Sequence, residues 1–200
     1  MFVKICGITS LEDARHALAS DASALGFVLW PHSPRYVTPE HARTIIDRLP
    51  AGTQTIGVFV DEPVDAVRHV VEIAGLSAVQ LNDASPPIAV RRIGVPVFKV
   101  VTLADVEAVM AEWPDEVTLL LDAHDPVRRG GTGKTVDWDA AAAIARRRRL
   151  LLAGGLTPAN VAEAIARVQP YGVDVCSGVE ASPRIKDPAK VKEFVQRARN

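Results

Sequence analysis

Two residues stand where apolar runs give way to turns. Cys6 follows Phe2-Val3-Lys4-Ile5 and precedes a glycine, and Asp122 closes the run Val117-Thr118-Leu119-Leu120-Leu121. A thiol with an ordinary pKa near 8.5 can be drawn down to act as a general base. A carboxyl behind apolar residues is desolvated and drawn up, which suits a general acid near neutral pH. Together they make a proton-transfer pair if the fold brings them to one place. Taken singly, each has a plainer reading: Cys6 as a small buried hydrophobe, Asp122 as a turn or capping residue.

Other residues join this pair only through their positions. Arg35 lies in Pro31-His32-Ser33-Pro34-Arg35, where a guanidinium can grip a carboxylate in two-point fashion. Two glycine turns, one at Gly154-Gly155 and one at Cys176-Ser177-Gly178, offer backbone N–H groups that can cradle a phosphate. Asp174 and Cys176 alternate with Val173 and Val175, so they share a face of one strand. Asp174 is a candidate substrate contact, because an ionisable group inside a strand needs a partner, and Cys176 reads by itself as core filling. The stretch 128–138, RRGGTGKTVDW, suggests a phosphate-binding glycine loop, but Arg128 stands where that motif needs its first glycine. It reads instead as a long loop over the site or as plain surface. The histidines at 16, 32, 41, 69 and 124 have no metal-ligand spacing, and no metal or cofactor is expected.

These residues need elements to position them. Eight short apolar runs, at 2–6, 24–30, 54–60, 77–81, 95–101, 117–122, 150–154 and 172–178, have the continuous apolarity of strands buried on both faces. Helical patterns lie between them. Thr9-Ser10-Leu11-Glu12 reads as a capping box, and Thr38-Pro39, Thr157-Pro158 and Asp187-Pro188 each set a capping side chain before a proline. The stretches 64–74, 103–112 and 138–148 have helical spacing without a clear cap, and 85–94 holds at most a short helix. The arginine run 146–149 reads as a solvated helix end. Strand and helix alternating eight times implies a parallel sheet with right-handed crossovers, and hence a single α/β (β/α)8 barrel domain over 1–200. The alternative is an open doubly wound sheet, whose usual glycine fingerprint after the first strand is missing. In a barrel, Cys6, Asn82, Lys99, Asp122, Gly154 and Cys176 all fall at strand C-termini, where active sites are built.

Composition narrows the class. The chain has 200 residues, 48% of them hydrophobic, and a formal net charge of −1. That charge gives no general attraction to nucleic acid or to anionic lipid. No apolar run reaches the roughly 18 residues of a membrane span. The N-terminus does not read as a signal peptide, and no fused neighbouring domain is expected. Two cysteines and no targeting segment point to a reducing, cytoplasmic setting. Monomer and homodimer both stay open.

KICGIT, SPRYV, IGVFV, VQL, LLD, GGTGKTVDW, LAGGLTPANV and VDVCSGVE, in this order from residue 3 to about 180, resemble the phosphoribosylanthranilate isomerases of tryptophan biosynthesis. The resemblance implies a cofactor-free Amadori rearrangement of N-(5-phosphoribosyl)anthranilate to 1-(2-carboxyphenylamino)-1-deoxyribulose 5-phosphate. It implies Asp122 as general acid, Cys6 as general base, and Arg35 as partner of the anthranilate carboxylate. Amides around Gly154, Gly155, Cys176, Ser177 and Gly178 would hold the phosphate, and Asn82 would lie near the aromatic ring. The sequence departs from the family twice. Asn82-Asp83 replaces the usual His-Gly, which places a negative charge near an anionic substrate, and Cys176 replaces the usual serine. Two rival readings remain: a barrel isomerase of histidine biosynthesis, which typically has aspartate where Cys6 stands, and a phosphosugar-binding barrel that is non-catalytic or altered in specificity.

Overall fold

The computed structural model describes residues 1–83, 85–122 and 136–200. Eight parallel strands close into a barrel in sequence order. They are β1 (Phe2–Ile5), β2 (Ala24–Val28), β3 (Gln54–Val60), β4 (Ala78–Asn82), β5 (Val97–Val101), β6 (Thr118–Leu121), β7 (Leu150–Leu152) and β8 (Gly172–Val175). Ring closure runs through β1 and β8, with Lys4 opposite Asp174 and Ile5 opposite Val175. The helices are α1 (Leu11–Ala19), α2 (Pro39–Ile46), α3 (Val64–Ala74), α4 (Pro87–Val90), α5 (Val106–Glu112), α6 (Trp138–Ala145), α7 (Val161–Val168) and α8 (Pro188–Arg199). Among the described residues no helix is long and apolar enough to cross a membrane.

The two faces of the strands do different work. Outward residues such as Val3, Ile5, Leu25, Phe27, Leu119 and Leu121 pack under the helices in one large apolar cluster. Inward residues stack in levels. Ala24, Ile56 and Ala78, with Phe2 and Phe98, plug the N-terminal end, beside Leu120, Leu151 and Ala153. Lys4, Gln80 and Asp174 form a polar middle. Cys6, Val28 and Val58, with Trp30 and Cys176, line the C-terminal mouth. The period-two alternation of a strand is what puts Lys4 below Cys6 and Asp174 below Cys176.

Helix starts agree with the sequence in part. Thr38 caps α2 through the His41 N–H, and Asp187 caps α8 through Ala189 and Lys190, each ahead of a proline. The first cap is shifted by one residue: Ser10, not Thr9, accepts the Asp13 N–H, while the Thr9 hydroxyl donates to the Arg184 carbonyl. The helix expected to start at Thr157-Pro158 starts at Val161 instead, because Asn160 Oδ1 takes the Thr157 N–H and holds 157–160 as a turn. Asp137 caps α6 through Asp139 and Ala140, a signal the sequence reading missed.

Two further corrections matter. The arginine run is not simply a solvated end: Arg148 is buried and donates to the carbonyls of Met110, Trp113, Pro114 and Val117. A small antiparallel hairpin, β9 (Glu180–Ser182) with β10 (Ile185–Lys186), follows β8 and was not foreseen. The long loop expected over the site after β6 falls at 123–135, outside the described residues.

Candidate active site

Cys6 sits directly after β1, where its N–H donates to the Val175 carbonyl at 2.8 Å. Gly7 then turns with a φ of 75°, and a Cβ there would lie 2.8 Å from Cys176 Sγ and 3.0 Å from Arg35 Cδ. Only glycine fits this turn, since a side chain would meet both strain and the site itself. On the other side, a Cβ on Gly26 would lie 2.8 Å from Cys6 Sγ. The thiol is thus hemmed in by backbone.

Its electrostatics follow from four neighbours. A hydrogen bond from the Cys176 thiol pulls the Cys6 pKa below the ordinary thiol value, against the cost of burial; the charges of Lys4 and Lys186 pull the same way, and that of Asp174 opposes them. Cys176 shifts the other way: it is held protonated by that same hydrogen bond and by burial. Burial opposes the charge on Lys4, but Asp174 and Cys6 outweigh it and hold the ammonium charged. Lys4 is fully buried and donates to Asp174 Oδ1 at 3.0 Å and to Gln80 Oε1 at 2.8 Å. The sequence reading missed Lys4, although a lysine two residues before the cysteine in an otherwise apolar strand must share its face.

The second group of charges closes the mouth from the side. The segment after β2 folds back, with Ser33 N–H donating to the Trp30 carbonyl and Tyr36 N–H to Ser33. This delivers Arg35, whose Nε and Nη2 bind Glu180 Oε1 and Oε2 at 2.8 and 2.7 Å. That pair uses two of the five guanidinium N–H donors. Glu180 is held below the usual carboxylate range: burial opposes its charge, but Arg35 and Lys186 outweigh it. Lys186 Nζ donates to Glu180 Oε1 at 3.2 Å and to the Cys176 carbonyl at 3.0 Å. Glu180 and Lys186 both come from the unforeseen hairpin. Lys4, Arg35 and Lys186 thus stand around the two sulfurs, Lys4 paired with Asp174 and the other two with Glu180.

The remaining expected residues fall into three places. Asp122 follows β6 and is half-buried, with its N–H on the Val101 carbonyl. In the ring β1-β8-β7-β6 it lies three strands from Cys6, across the same mouth. Gly154 and Gly155 have φ of 82° and 64°, and Asn160 Nδ2 ties the Gly155 carbonyl down at 3.0 Å. Ser177–Val179 form a single 3-10 turn. A Cβ on Gly178 would lie 1.9 Å from the Leu156 carbonyl oxygen, so the loops after β7 and β8 touch there. Asp174 is turned to Lys4 inside the barrel.

Asn82 ends β4 at the mouth, but Asp83 does not point its charge at a substrate. Its carboxylate is buried 3.4 Å from Lys99 Nζ, its carbonyl also accepts from Lys99, and Ser85 binds both carboxylate oxygens. Lys99 itself is mid-strand and lies over the Trp113 ring at 5.3 Å, not at the mouth. A cavity of about 670 Å³ opens at the other end of the barrel, lined by Phe2, Phe98, Trp113 and Tyr171 with Arg91, Glu116 and Arg149. The thiol and the glycine turns lie at the opposite end, the C-terminal mouth. Among the described residues no three His, Cys, Asp or Glu side chains are grouped to hold a metal ion.

The family model of N-(5'-phosphoribosyl)anthranilate (PRA) isomerase matches residues 3–197. The chain belongs to the phosphoribosylanthranilate isomerase family. It is 47% identical to the N-(5'-phosphoribosyl)anthranilate isomerase of Pelobacter propionicus, over 98% of this chain and 95% of that one. It is also 47% identical to that of Geobacter sulfurreducens, with 98% of each chain covered. Among solved structures, the Thermotoga maritima isomerase superposes with a TM-score of 0.91 at 41% identity, covering 100% of this chain and 98% of that one. An isomerase of this family in complex with reduced 1-(o-carboxyphenylamino)-1-deoxyribulose 5-phosphate gives a TM-score of 0.87 at 40% identity, with the same coverage.

Proposed function

We propose that Cys6 and Asp122 are the base and acid with which this chain isomerises N-(5-phosphoribosyl)anthranilate, residues 1–200 serving as one catalytic domain. The observation that carries the assignment is the state of Cys6: a thiol at the barrel mouth, with a lysine ammonium beneath it and a second thiol donating to it. A cysteine that only filled core would need neither.

The geometry supports a sequence of proton transfers. Asp122 gives a proton to the ribose ring oxygen, the C1–O bond opens, and the anilino nitrogen supplies the electron pair that leaves a Schiff-base cation. Cys6 then takes the proton from C2, which gives an enolamine that tautomerises to the ketone. Lys4 and Cys176 keep the sulfur ready as thiolate, while burial raises the electrostatic leverage of both. Arg35 has donors left for the anthranilate carboxylate after binding Glu180. Asn82 borders the ring. Amides of Gly154, Gly155, Cys176, Ser177 and Gly178 hold the phosphate at the far side, and Asp174 contributes through Lys4. No step needs a cofactor, since every bond change is an internal proton shift. Two free thiols fit a reducing cytoplasm.

The test follows consumption of phosphoribosylanthranilate by fluorescence in wild type, Cys6→Ala and Asp122→Asn. Each variant should fold and lose roughly 10²–10⁴-fold in kcat/KM. Wild-type rates in both variants would remove Cys6 and Asp122 as base and acid, and a folded wild type without activity would leave a phosphosugar-binding barrel as the better reading.

A further inference from the structure

Cys176 takes no part in the proton transfers as a reacting group, yet its side chain packs against Cys6 at the barrel mouth. These are the only two cysteines in the chain. We propose that they form an intramolecular disulfide when the protein meets a peroxide, so that the barrel mouth is a site of reversible oxidative modification.

Register brings the two together. Ile5 pairs with Val175 across the β1–β8 seam, so the next residues on each strand, Cys6 and Cys176, are neighbours. Adjacent strands lie about 4.8 Å apart, inside the 4.4–6.8 Å Cα separation that a disulfide accepts. Both side chains face the barrel interior, because they continue the faces of Lys4 and Asp174. Cys176 is part-exposed at the mouth, which gives a small oxidant access. Lys186 Nζ lies 3.9 Å from Cys176 Sγ and Lys4 supports Cys6, so a positive charge stands by each sulfur. At Cys6 such charge favours the thiolate, which is the species that reacts with an oxidant, while Cys176 waits beside it as a thiol.

The chemistry balances with peroxide as the two-electron oxidant. The Cys6 thiolate attacks one peroxide oxygen, the O–O bond breaks, and the leaving hydroxide takes a proton to become water. Cys6 is then a sulfenic acid. The Cys176 sulfur attacks the Cys6 sulfur, the S–O bond breaks, and the hydroxyl leaves with the Cys176 proton as a second water. Two thiols have lost two hydrogens, and a dithiol reductant restores them. A serine at this position could not do this, so the reaction follows from this chain's own residue.

The disulfide does not depend on the role assigned to Cys6, whereas the inactivation it causes does. The experiment therefore reads both. Protein reduced with dithiothreitol and freed of it is titrated with hydrogen peroxide, then assayed for activity, intact mass and cross-linked peptides. Wild type should lose the mass of two hydrogens, yield a Cys6–Cys176 linked peptide, lose activity in step with that peptide, and regain it with dithiothreitol. Cys176→Ser, checked for folding by circular dichroism, has no second thiol to trap the sulfenic acid, so with excess peroxide Cys6 should take up two or three oxygens as sulfinic or sulfonic acid and stay inactive after dithiothreitol. Oxygen addition to wild-type Cys6 without the linked peptide, or a link only between chains, overturns the proposal. A complete link with full activity keeps the disulfide and removes Cys6 as the base.

Discussion

The Lys4 ammonium lies 3.0 Å from the Asp174 carboxylate in the interior of the barrel, one level below the Cys6 thiol. It is a buried charge pair that also serves the mouth, because Lys4 holds Cys6 as well as Asp174. Pairs of this kind are weak evidence for stability but costly to break from one side.

Lys4→Met should therefore destabilise the fold by about 3–5 kcal/mol in denaturant unfolding, as Asp174 is left charged and unpaired. The surviving enzyme carries the more informative signal. A base must be deprotonated to act, so kcat/KM rises with pH through the Cys6 pKa. Without Lys4 that rise should move to higher pH. A profile unchanged from wild type would show that Lys4 serves packing alone.

Glu180 makes the fold sensitive to acid. Its folded pKa lies below its unfolded value of about 4.3. Its contribution is thus present above that pH and is lost as pH falls through the folded value. Glu180→Gln should be less stable than wild type near neutrality, and the gap should narrow steadily below about pH 4.3. Chemical denaturation across that range measures it; a constant gap would mean that the ion pair with Arg35 and Lys186 is not its source.

Gly178→Ala asks whether the contact between the last two loops shapes the phosphate cradle. The added methyl would overlap the Leu156 carbonyl, so the loops must part. KM for the phosphorylated substrate should rise about tenfold or more, equivalent to about 1.4 kcal/mol, with a smaller effect on kcat. Weakened competitive inhibition by inorganic phosphate should accompany it, and equal losses in KM and kcat would instead indicate general disorder of the mouth.

The Asn82-Asp83 departure separates into two unlike positions. Asn82→His should lower KM with little change in kcat, since it returns a chargeable donor to the mouth. Asp83→Gly should do nothing so local. It strips the carboxylate from buried Lys99 and should cost about 3 kcal/mol of stability. If it lowers KM without loss of stability, the charge at this position acts on substrate after all.

How much of this was legible beforehand varies with the range of the interaction. The strands were readable because a parallel barrel buries both strand faces, which leaves continuous apolar runs such as LLL at β7. The positions of Cys6, Asp122 and the two glycine turns at strand ends were readable because the end of an apolar run is a local pattern. Helix caps were legible at α2 and α8 and to within a residue at α1, where Ser10 stands in place of Thr9, but α7 starts three residues beyond Thr157-Pro158 and the Asp137 cap of α6 gave no signal that was read. The arginine run misled because composition cannot tell an arginine in water from one held by four carbonyls.

Residue type and short-range spacing were enough for the (β/α)8 barrel and for placing Cys6, Asp122 and the glycine turns at the C-terminal ends of its strands, where the acid, base and phosphate contacts are proposed. Only the tertiary structure decided which charges meet. Lys4 with Asp174, Arg35 with Glu180, and Cys6 with Cys176 are separated by 145 or more residues in the chain. Closure of β1 on β8 and the return of the hairpin bring them into contact. A low-dielectric mouth then turns those contacts into the protonation states that the chemistry needs, and no local pattern in the sequence encodes that.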